Sequence, residues 1–192
     1  MARAGLNVAR LTEAAADMAD EIGFENVTVL ALARSFGVKD ASLYSHIKNL
    51  RDLRQKVAVA SLSELADRVS DALAGRAGKD ALVAFAGAYR DYAREHPGRY
   101  RSTQFELDVD AEALTAGRRH SAMSRAILRA YGLTEPDETD AVRLLGSTFH
   151  GFIALEASGG FGHSSPPRET EESWVRVLDV LHHALTNWPG TS

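Results

Sequence analysis

The chain has 192 residues, 45% of them hydrophobic and 25% charged, with a formal net charge of −4 and no cysteine. That is enough for one or two domains with a sizeable core, and it excludes a disulfide scaffold and a thiolate metal site. No stretch approaches the roughly 18 consecutive apolar residues of a membrane span, and the opening MARAGLNVARLTEAAAD lacks the apolar run of a secretory leader. A cytoplasmic protein with no membrane partner is the expectation.

In chain order, the first element is a helix over about Asn7 to Ile22, where Val8, Leu11, Ala15, Met18 and Ile22 recur at spacings of 3 and 4. Gly23 ends it, and Phe24 and Val27 plug the connection. The stretch from Thr28 to Asn49, TVLALARSFGVKDASLYSHIKN, then reads as two short helices joined by a tight turn. Thr28 is an N-cap, the first helix runs through Leu32, Ala33 and Phe36, and Gly37 is the left-handed stop. Val38 fills the turn, and the second helix opens near Lys39 or Asp40. Its inward face is Leu43 and Ile47; its outward face, Lys39, Asp40, Ala41, Ser42, Tyr44, Ser45 and His46, is small, polar and aromatic. This is the pattern of a helix-turn-helix whose second helix is read from outside.

Charge supports that reading locally. Residues 34–56 carry six Lys/Arg against two Asp/Glu, whereas residues 57–192 carry 14 against 19. A basic patch on an acidic body suffices for phosphate binding, because the field that matters acts within about 8–10 Å. Asp40 reads as an N-cap or helix-dipole carboxylate rather than a base reader. Tyr44 reads as a contact, since Leu43 and Ile47 already fill the inward face. The His46 imidazole can donate to phosphate whether neutral or charged.

Beyond Asn49, a further N-cap, a long helix covers about Leu50 to Leu73 with Leu53, Val57, Ala60, Leu62, Leu65 and Val69 inward. GRAGK at 75–79 breaks the chain. A helix from about Asp80 to Glu95 buries Leu82, Phe85, Ala86, Tyr89 and Tyr92, and His96-Pro97-Gly98 stops it. Further helices are expected over about Arg99 to Phe105, Val109 to Tyr131, Asp137 to Ser158 and Thr170 to Trp188, with a loop at 159–169. No strand pattern and no internal repeat is present. The fold class is therefore all-α, with about nine helices: a helix-turn-helix domain over 1–49 and a larger helical domain over 50–192, connected by the 50–73 helix.

The last two helices offer a candidate dimer interface. Gly146, His150, Gly151 and Ala154 lie near one face of the 137–158 helix, and small residues let a partner helix approach. Trp174, Val177, Leu178, Leu181, Leu185 and Trp188 form an apolar stripe on the final helix. Either the stripe is buried within one chain or it pairs two chains; a two-fold dimer is preferred because it duplicates the helix-turn-helix. For a small-molecule pocket the aromatic candidates are Phe85, Tyr89, Tyr92, Tyr100, Phe105, Phe149 and Phe152, residues equally able to fill an ordinary core. No metal or other cofactor is expected. His182 and His183 point about 100° apart on a helix, and Asp179 with either supplies only two ligands.

These residues resemble the TetR family of bacterial transcriptional regulators. The likeness rests on G-F-E-N-V-T, A-L-A-R-S-F-G-V-K and A-S-L-Y-S-H-I-K-N-L-R-D-L within about Leu6 to Leu53, and on F-H-G-F-I-A-L-E-A-S-G-G-F-G from Phe149 to Gly162. The second motif is similar to a subgroup marked by Trp-His-Gly in its ligand domain, with Phe149 standing where that subgroup has tryptophan. The resemblance implies an all-helical homodimer that binds double-stranded operator DNA through its first three helices and a small-molecule inducer through its larger domain, dimerising by the last two helices. Carried onto this chain, it implies that Thr28 meets phosphate, that Lys39, Ala41, Ser42, Tyr44 and His46 line the major groove and its backbone, and that Lys48 sits on phosphate. Leu30 stands where some members carry a base-reading cation and Leu50 where a phosphate-binding lysine is common, a loss Arg51 or Arg54 could cover. The expected function is a ligand-responsive repressor. An all-helical enzyme is disfavoured because no nucleophile–base pair or phosphate-cradling loop can be assembled. A protein-binding adaptor with an idle helix-turn-helix is disfavoured by the basic patch.

Overall fold

Helices account for all regular structure among the described residues, which in the computed structural model are 6–108, 110–163 and 169–189. They are α1 (Val8–Ile22), α2 (Val29–Ser35), α3 (Leu50–Leu73), α4 (Gly78–Glu95), α5 (Pro97–Ser102), α6 (Ala111–Leu128), α7 (Asp137–Ala157) and α8 (Thr170–Thr186). Between α2 and α3 the segment Asp40–Ser45 is a 3₁₀ helix; with it the described residues form the expected all-α array of nine helices, joined by three shorter 3₁₀ turns. Element α5 begins at Pro97, earlier than the expected Arg99, because proline at the first helical position forfeits an N–H that has no helical partner there anyway. The 159–169 loop contains a 3₁₀ turn at Gly160–His163; its residues 164–168 lie outside the described residues.

The chain divides into two compact units, Met1–Ala66 with Tyr92–Gly117, and Asp67–Asp91 with Arg118–Ser192. The first therefore extends past the expected cut at residue 49. Its core joins Leu11, Ala15 and Ala19 of α1 to Leu32 of α2, to Leu43 and Ile47, and to Leu53 and Val57 of α3. Two expected stripes are rotated. On α1 the buried line is Leu11, Ala15 and Ala19, leaving Val8 and Ile22 at 41% and 46% exposure. On α3 the interior positions are Ala58, Ser61 and Ala66 beside Leu53, Val57, Leu65 and Val69, while Ala60 is exposed and Leu62 half-buried.

Helix α5 lies directly on α1. A Cβ built on Gly98 would come 1.9 Å from the Ala19 carbonyl oxygen, so only glycine fits this crossing. Asp20 of α1 anchors the same contact: its carboxylate accepts from the Arg99 amide at 2.8 Å and lies 3.0 Å from His96 Nδ1. Arg99 extends the anchor through its guanidinium to Asp17 and, at 3.0 Å, to Glu64.

The second unit packs Leu82, Phe85 and Ala86 of α4 with Leu145, Phe149 and Phe152 of α7 and with Trp174, Leu178, Leu181 and Leu185 of α8. The apolar stripe of α8, read above as a dimer surface, thus supplies Trp174, Leu178, Leu181 and Leu185 to this chain's own core. Val177 and Trp188 are half-buried. The outward face of α8 carries Val175 and Val180, 52% and 67% exposed. On α7, Gly151 and Ala154 are exposed beside Leu155, while Gly146 and His150 are half-buried.

Candidate nucleic-acid interface

The reading segment is built from local hydrogen bonds. Thr28 caps α2: its Oγ1 accepts from the Ala31 amide at 3.1 Å, which leaves the hydroxyl proton available to an outside acceptor. At the other end, Gly37 takes φ +65°, the Val38 amide donates to Ala33 O at 3.1 Å and the Gly37 amide to Arg34 O at 3.0 Å. This pair of bonds is the Schellman arrangement that closes a helix at a left-handed glycine. Val38 then turns in against the core, and the chain re-enters helical geometry at Asp40.

That geometry is 3₁₀ rather than α, with Ser42 N bonded to Lys39 O at 2.9 Å and His46 N to Leu43 O at 2.9 Å. Three residues per turn sort the side chains into edges. Leu43, fully buried, defines the inward edge and Ile47 follows it at 2% exposure. His46, one turn beyond Leu43, is accordingly half-buried. Ala41 and Tyr44 share one outward edge, Ser42 and Ser45 the other, and all four are exposed; Tyr44 is 53% exposed. The Ser45 hydroxyl donates to Ser42 O at 2.9 Å, and Asp40 accepts from the Ala41 amide at 2.8 Å, the local capping role expected of it.

Tyr44, His46 and Lys48 are brought together around one cleft of about 570 Å³, which Val8 and the start of α3 also border. Lys39, Ala41 and Ser42 lie outside that lining. Helix α3 is started by a reciprocal cap beside the cleft: Asn49 accepts from the Asp52 amide, and the Asp52 carboxylate accepts from the Lys48 amide, each at 2.9 Å. Asp52 also holds Lys56 at 3.3 Å.

The cations of this region fall into two groups. The Arg51 guanidinium bonds Asp108 at 2.7 Å and covers the Phe105 ring at 5.4 Å; through that hydrogen bond it holds the Asp108 carboxyl below the ordinary carboxylate range. Arg54 donates to Glu25 O at 2.7 Å and lies over Phe24. Both arginines, named above as cover for the lysine absent at Leu50, are thus engaged within the first unit. By contrast, Arg34, Lys39 and Lys48 are exposed and pair with no carboxylate among the described residues. Arg34, which entered the sequence reading only through the charge count, joins the two lysines as a free cation. Leu30 presents an apolar side chain, 49% exposed, on the same short helix.

The aromatic pocket candidates divide between the units. Tyr92, Tyr100 and Phe105 belong to the first, where Tyr92 donates to Glu64 at 3.1 Å and Phe105 packs edge-on against Phe24. Phe85, Tyr89, Phe149 and Phe152 gather in the second. There Tyr89 Oη lies 2.7 Å from His120 Nδ1, with the His150 ring edge-on to the Tyr89 ring. Burial pushes the Tyr89 phenol up. Burial, and secondarily His120, hold the His150 imidazole below its ordinary 6.5. The unfolded chain then binds a proton more readily than the folded one, so this contribution to stability is complete above about pH 6.5 and is lost as pH falls through the folded value. Melting temperatures taken from pH 8 to pH 5 should decline on the acid side, and His150→Gln should flatten that decline. The Asp179–His182–His183 cluster resolves into separate pairs, Asp179 with Lys79 at 2.7 Å, His182 with Tyr131 at 3.0 Å and His183 with Asn187 at 3.2 Å.

Residues 11–57 match the family described as bacterial regulatory proteins, tetR family, and residues 82–181 match the tetracyclin repressor-like C-terminal domain. The HTH-type transcriptional regulator Rv0681 of Mycobacterium tuberculosis is 38% identical over 151 residues, covering 78% of this chain and 69% of the relative. YobS of Bacillus subtilis, also an HTH-type transcriptional regulator, is 31% identical over 92% of each chain. Among solved structures, a Rhodococcus protein of unknown function superposes with TM-score 0.77 at 20% identity, covering 95% of this chain and 97% of its own. A TetR variant from Acinetobacter baumannii in complex with minocycline superposes with TM-score 0.71 at 20% identity, covering 97% and 100%. The structures share the fold; the two relatives share the sequence as well. With one match running through the whole reading segment and the other over more than half the chain, the protein belongs to the TetR family, the bacterial regulators that bind DNA and control transcription.

Proposed function

We propose that the protein is a ligand-responsive transcriptional repressor that binds a palindromic operator as a homodimer in the cytoplasm and is released by a small-molecule inducer. The observation that carries this reading is the outward face of residues 39–48: Ala41 and Tyr44 on one edge, Ser42 and Ser45 on the other, flanked by Lys39 and Lys48, which are exposed and pair with no carboxylate among the described residues. Small side chains let such a segment sit deep in a major groove, the lysines meet phosphates, and Ala41 is suited to a thymine methyl. Thr28 and His46 add donors to the backbone, and Arg34 is a further phosphate ligand.

Dimerisation through α7 and α8 supplies the two-fold, which sets two reading segments about 34–36 Å apart on successive major grooves. The surface for it is the outward face, Gly151, Ala154 and Leu155 with Val175 and Val180, since most of the original stripe is occupied internally. The inducer is assigned to the aromatic cluster of Phe85, Tyr89, Phe149 and Phe152 with His120 and His150, and Phe149-His150-Gly151 stands in the place of the subgroup's Trp-His-Gly. The minocycline complex of a protein with the same fold supports a small-molecule effector of this kind. Such a ligand acts only through its differential affinity for the DNA-competent and DNA-incompetent states.

Fluorescence anisotropy with labelled DNA flanking the protein's own gene tests the reading. Tyr44→Ala and Lys39→Ala should each weaken specific binding about 10- to 100-fold, one contact being lost per subunit. Lys39→Ala should also make the salt dependence shallower by about one unit per lost phosphate contact. Binding without sequence preference, or unchanged by both substitutions, would sink the proposal.

A further inference from the structure

Arg51 stands in the cleft that Tyr44, His46 and Lys48 border, yet its charge is answered from within the chain. The Asp108 carboxylate, on the connection between α5 and α6, accepts from Nη2 at 2.7 Å and from Nε at 3.3 and 3.4 Å. The Glu106 carbonyl accepts from Nη2 at 3.3 Å, and the guanidinium lies 5.4 Å from the Phe105 ring centre. A fork of N–H donors on one pair of oxygens is also how an arginine grips a phosphate. Gln55, one turn along α3, fastens the same connection. Its side-chain oxygen accepts from the Asp108 amide at 2.9 Å, and its nitrogen donates to Asp110 at 2.6 Å. Asp110 borders the cleft too, and the further carboxylate there, Asp52, is answered by Lys56 at 3.3 Å. Two exposed carboxylates, Asp108 and Asp110, therefore share a wall with the cations of the reading segment.

The Arg51–Asp108 pair is open to solvent, with side-chain exposures of 50% and 63%. An ion pair so exposed is weak. Duplex DNA offers a phosphate charge every 1.7 Å or so of its axis, with counterions to release. We propose that Asp108 is an internal competitor for DNA: Arg51 exchanges the Asp108 carboxylate for a backbone phosphate on binding. The displaced carboxylate, left beside the duplex with Asp110, keeps the affinity below what the cations alone would give. Arg51 thereby becomes the phosphate ligand that Leu50 does not supply, at a position gated by the α5–α6 connection. The inference rests on residues 39–48 facing DNA, as proposed above, but it concerns phosphate alone and so applies to any duplex sequence.

Fluorescence anisotropy of the full chain with a labelled duplex at low salt tests the exchange. Asp108→Asn, isosteric and uncharged, should tighten binding about two- to fivefold per subunit, with the melting temperature little changed. Asp110→Asn removes the same charge from the same cleft while Arg51 stays held, and should tighten binding less. Arg51→Met keeps an aliphatic stem against Phe105. It should weaken binding and make the salt dependence shallower by about one unit per lost phosphate contact. In the double variant most of the gain from Asp108→Asn should disappear, because no guanidinium remains to be released. If Arg51→Met leaves affinity and salt dependence unaltered, or if Asp108→Asn tightens binding equally with and without it, the exchange is refuted. Tyr44→Ala and Lys39→Ala separate the two readings. Should they weaken binding while the Arg51 and Asp108 variants are silent, only the exchange falls; the opposite pattern overturns the reading segment and leaves the exchange standing.

Discussion

Gly98→Ala should unfold the first unit at temperatures where the parent chain is folded. The new methyl group would lie 1.9 Å from Ala19 O, 2.1 Å from Ala19 C and 2.6 Å from Asp20 N. All three atoms are α1 backbone, so no rotamer change relieves the overlap, and α5 must lift away. Lifting it breaks the Arg99 amide bond to Asp20, the His96–Asp20 contact and the Arg99–Glu64 pair, which share that crossing. The expected loss sits in the extreme tail for point substitutions, on the order of 4 kcal/mol or more, which in a unit of this size lowers the melting temperature by roughly 15 °C or more. Circular dichroism melts measure it, with specific DNA binding lost in parallel. Gly117→Ala is the control: it lies within α6 with open space around its Cβ position, and exchange should be neutral or stabilise by about 0.5–1 kcal/mol. Equal behaviour of the two variants would refute the crossing as described.

Arg90→Met should be the comparably damaging substitution in the second unit. Arg90 is 2% exposed; its guanidinium holds Glu156 through two bonds of 2.9 and 2.7 Å and lies over Trp174 at 4.9 Å and Phe152 at 5.6 Å. Truncating it leaves the Glu156 carboxylate, 17% exposed, without its bidentate partner. Breaking a pair of this kind costs about 3–5 kcal/mol. The Glu171 arm is different, because that side chain is 66% exposed, so Glu171→Gln should change stability by less than about 1 kcal/mol. Arg90→Met combined with Glu156→Leu should recover most of the loss, since a matched apolar pair replaces the ionic one. Chemical denaturation of the four proteins checks the ordering, and a double variant no better than Arg90→Met alone would show that the aromatic stacking, not the ion pair, is what holds the site.

Much of the reading segment was legible because its determinants are local. The Thr28 cap, the Gly37 stop, the Asn49 cap and the inward positions of Leu43 and Ile47 each follow from residues within five positions of one another. The 3₁₀ geometry of Asp40–Ser45 was not legible, because six residues contain too few turns for spacing to separate three from 3.6 residues per turn. Nor was the capture of Arg51, whose carboxylate partner Asp108 is 57 residues away.

What the sequence determined by itself is therefore the succession of helices, their caps, the turn at Gly37 and the family, since hydrogen bonds and side-chain periodicity within one or two turns suffice for each. Tertiary structure alone decided three further matters. It showed which cations of this region pair with no carboxylate among the described residues, Arg34, Lys39 and Lys48 rather than Arg51. It placed Trp174, Leu178, Leu181 and Leu185 in the chain's own core. And it showed that Gly98 must be glycine. A stripe or a charge declares its need for a partner in sequence, but whether that partner comes from the same chain depends on residues distant along it, brought close only by packing.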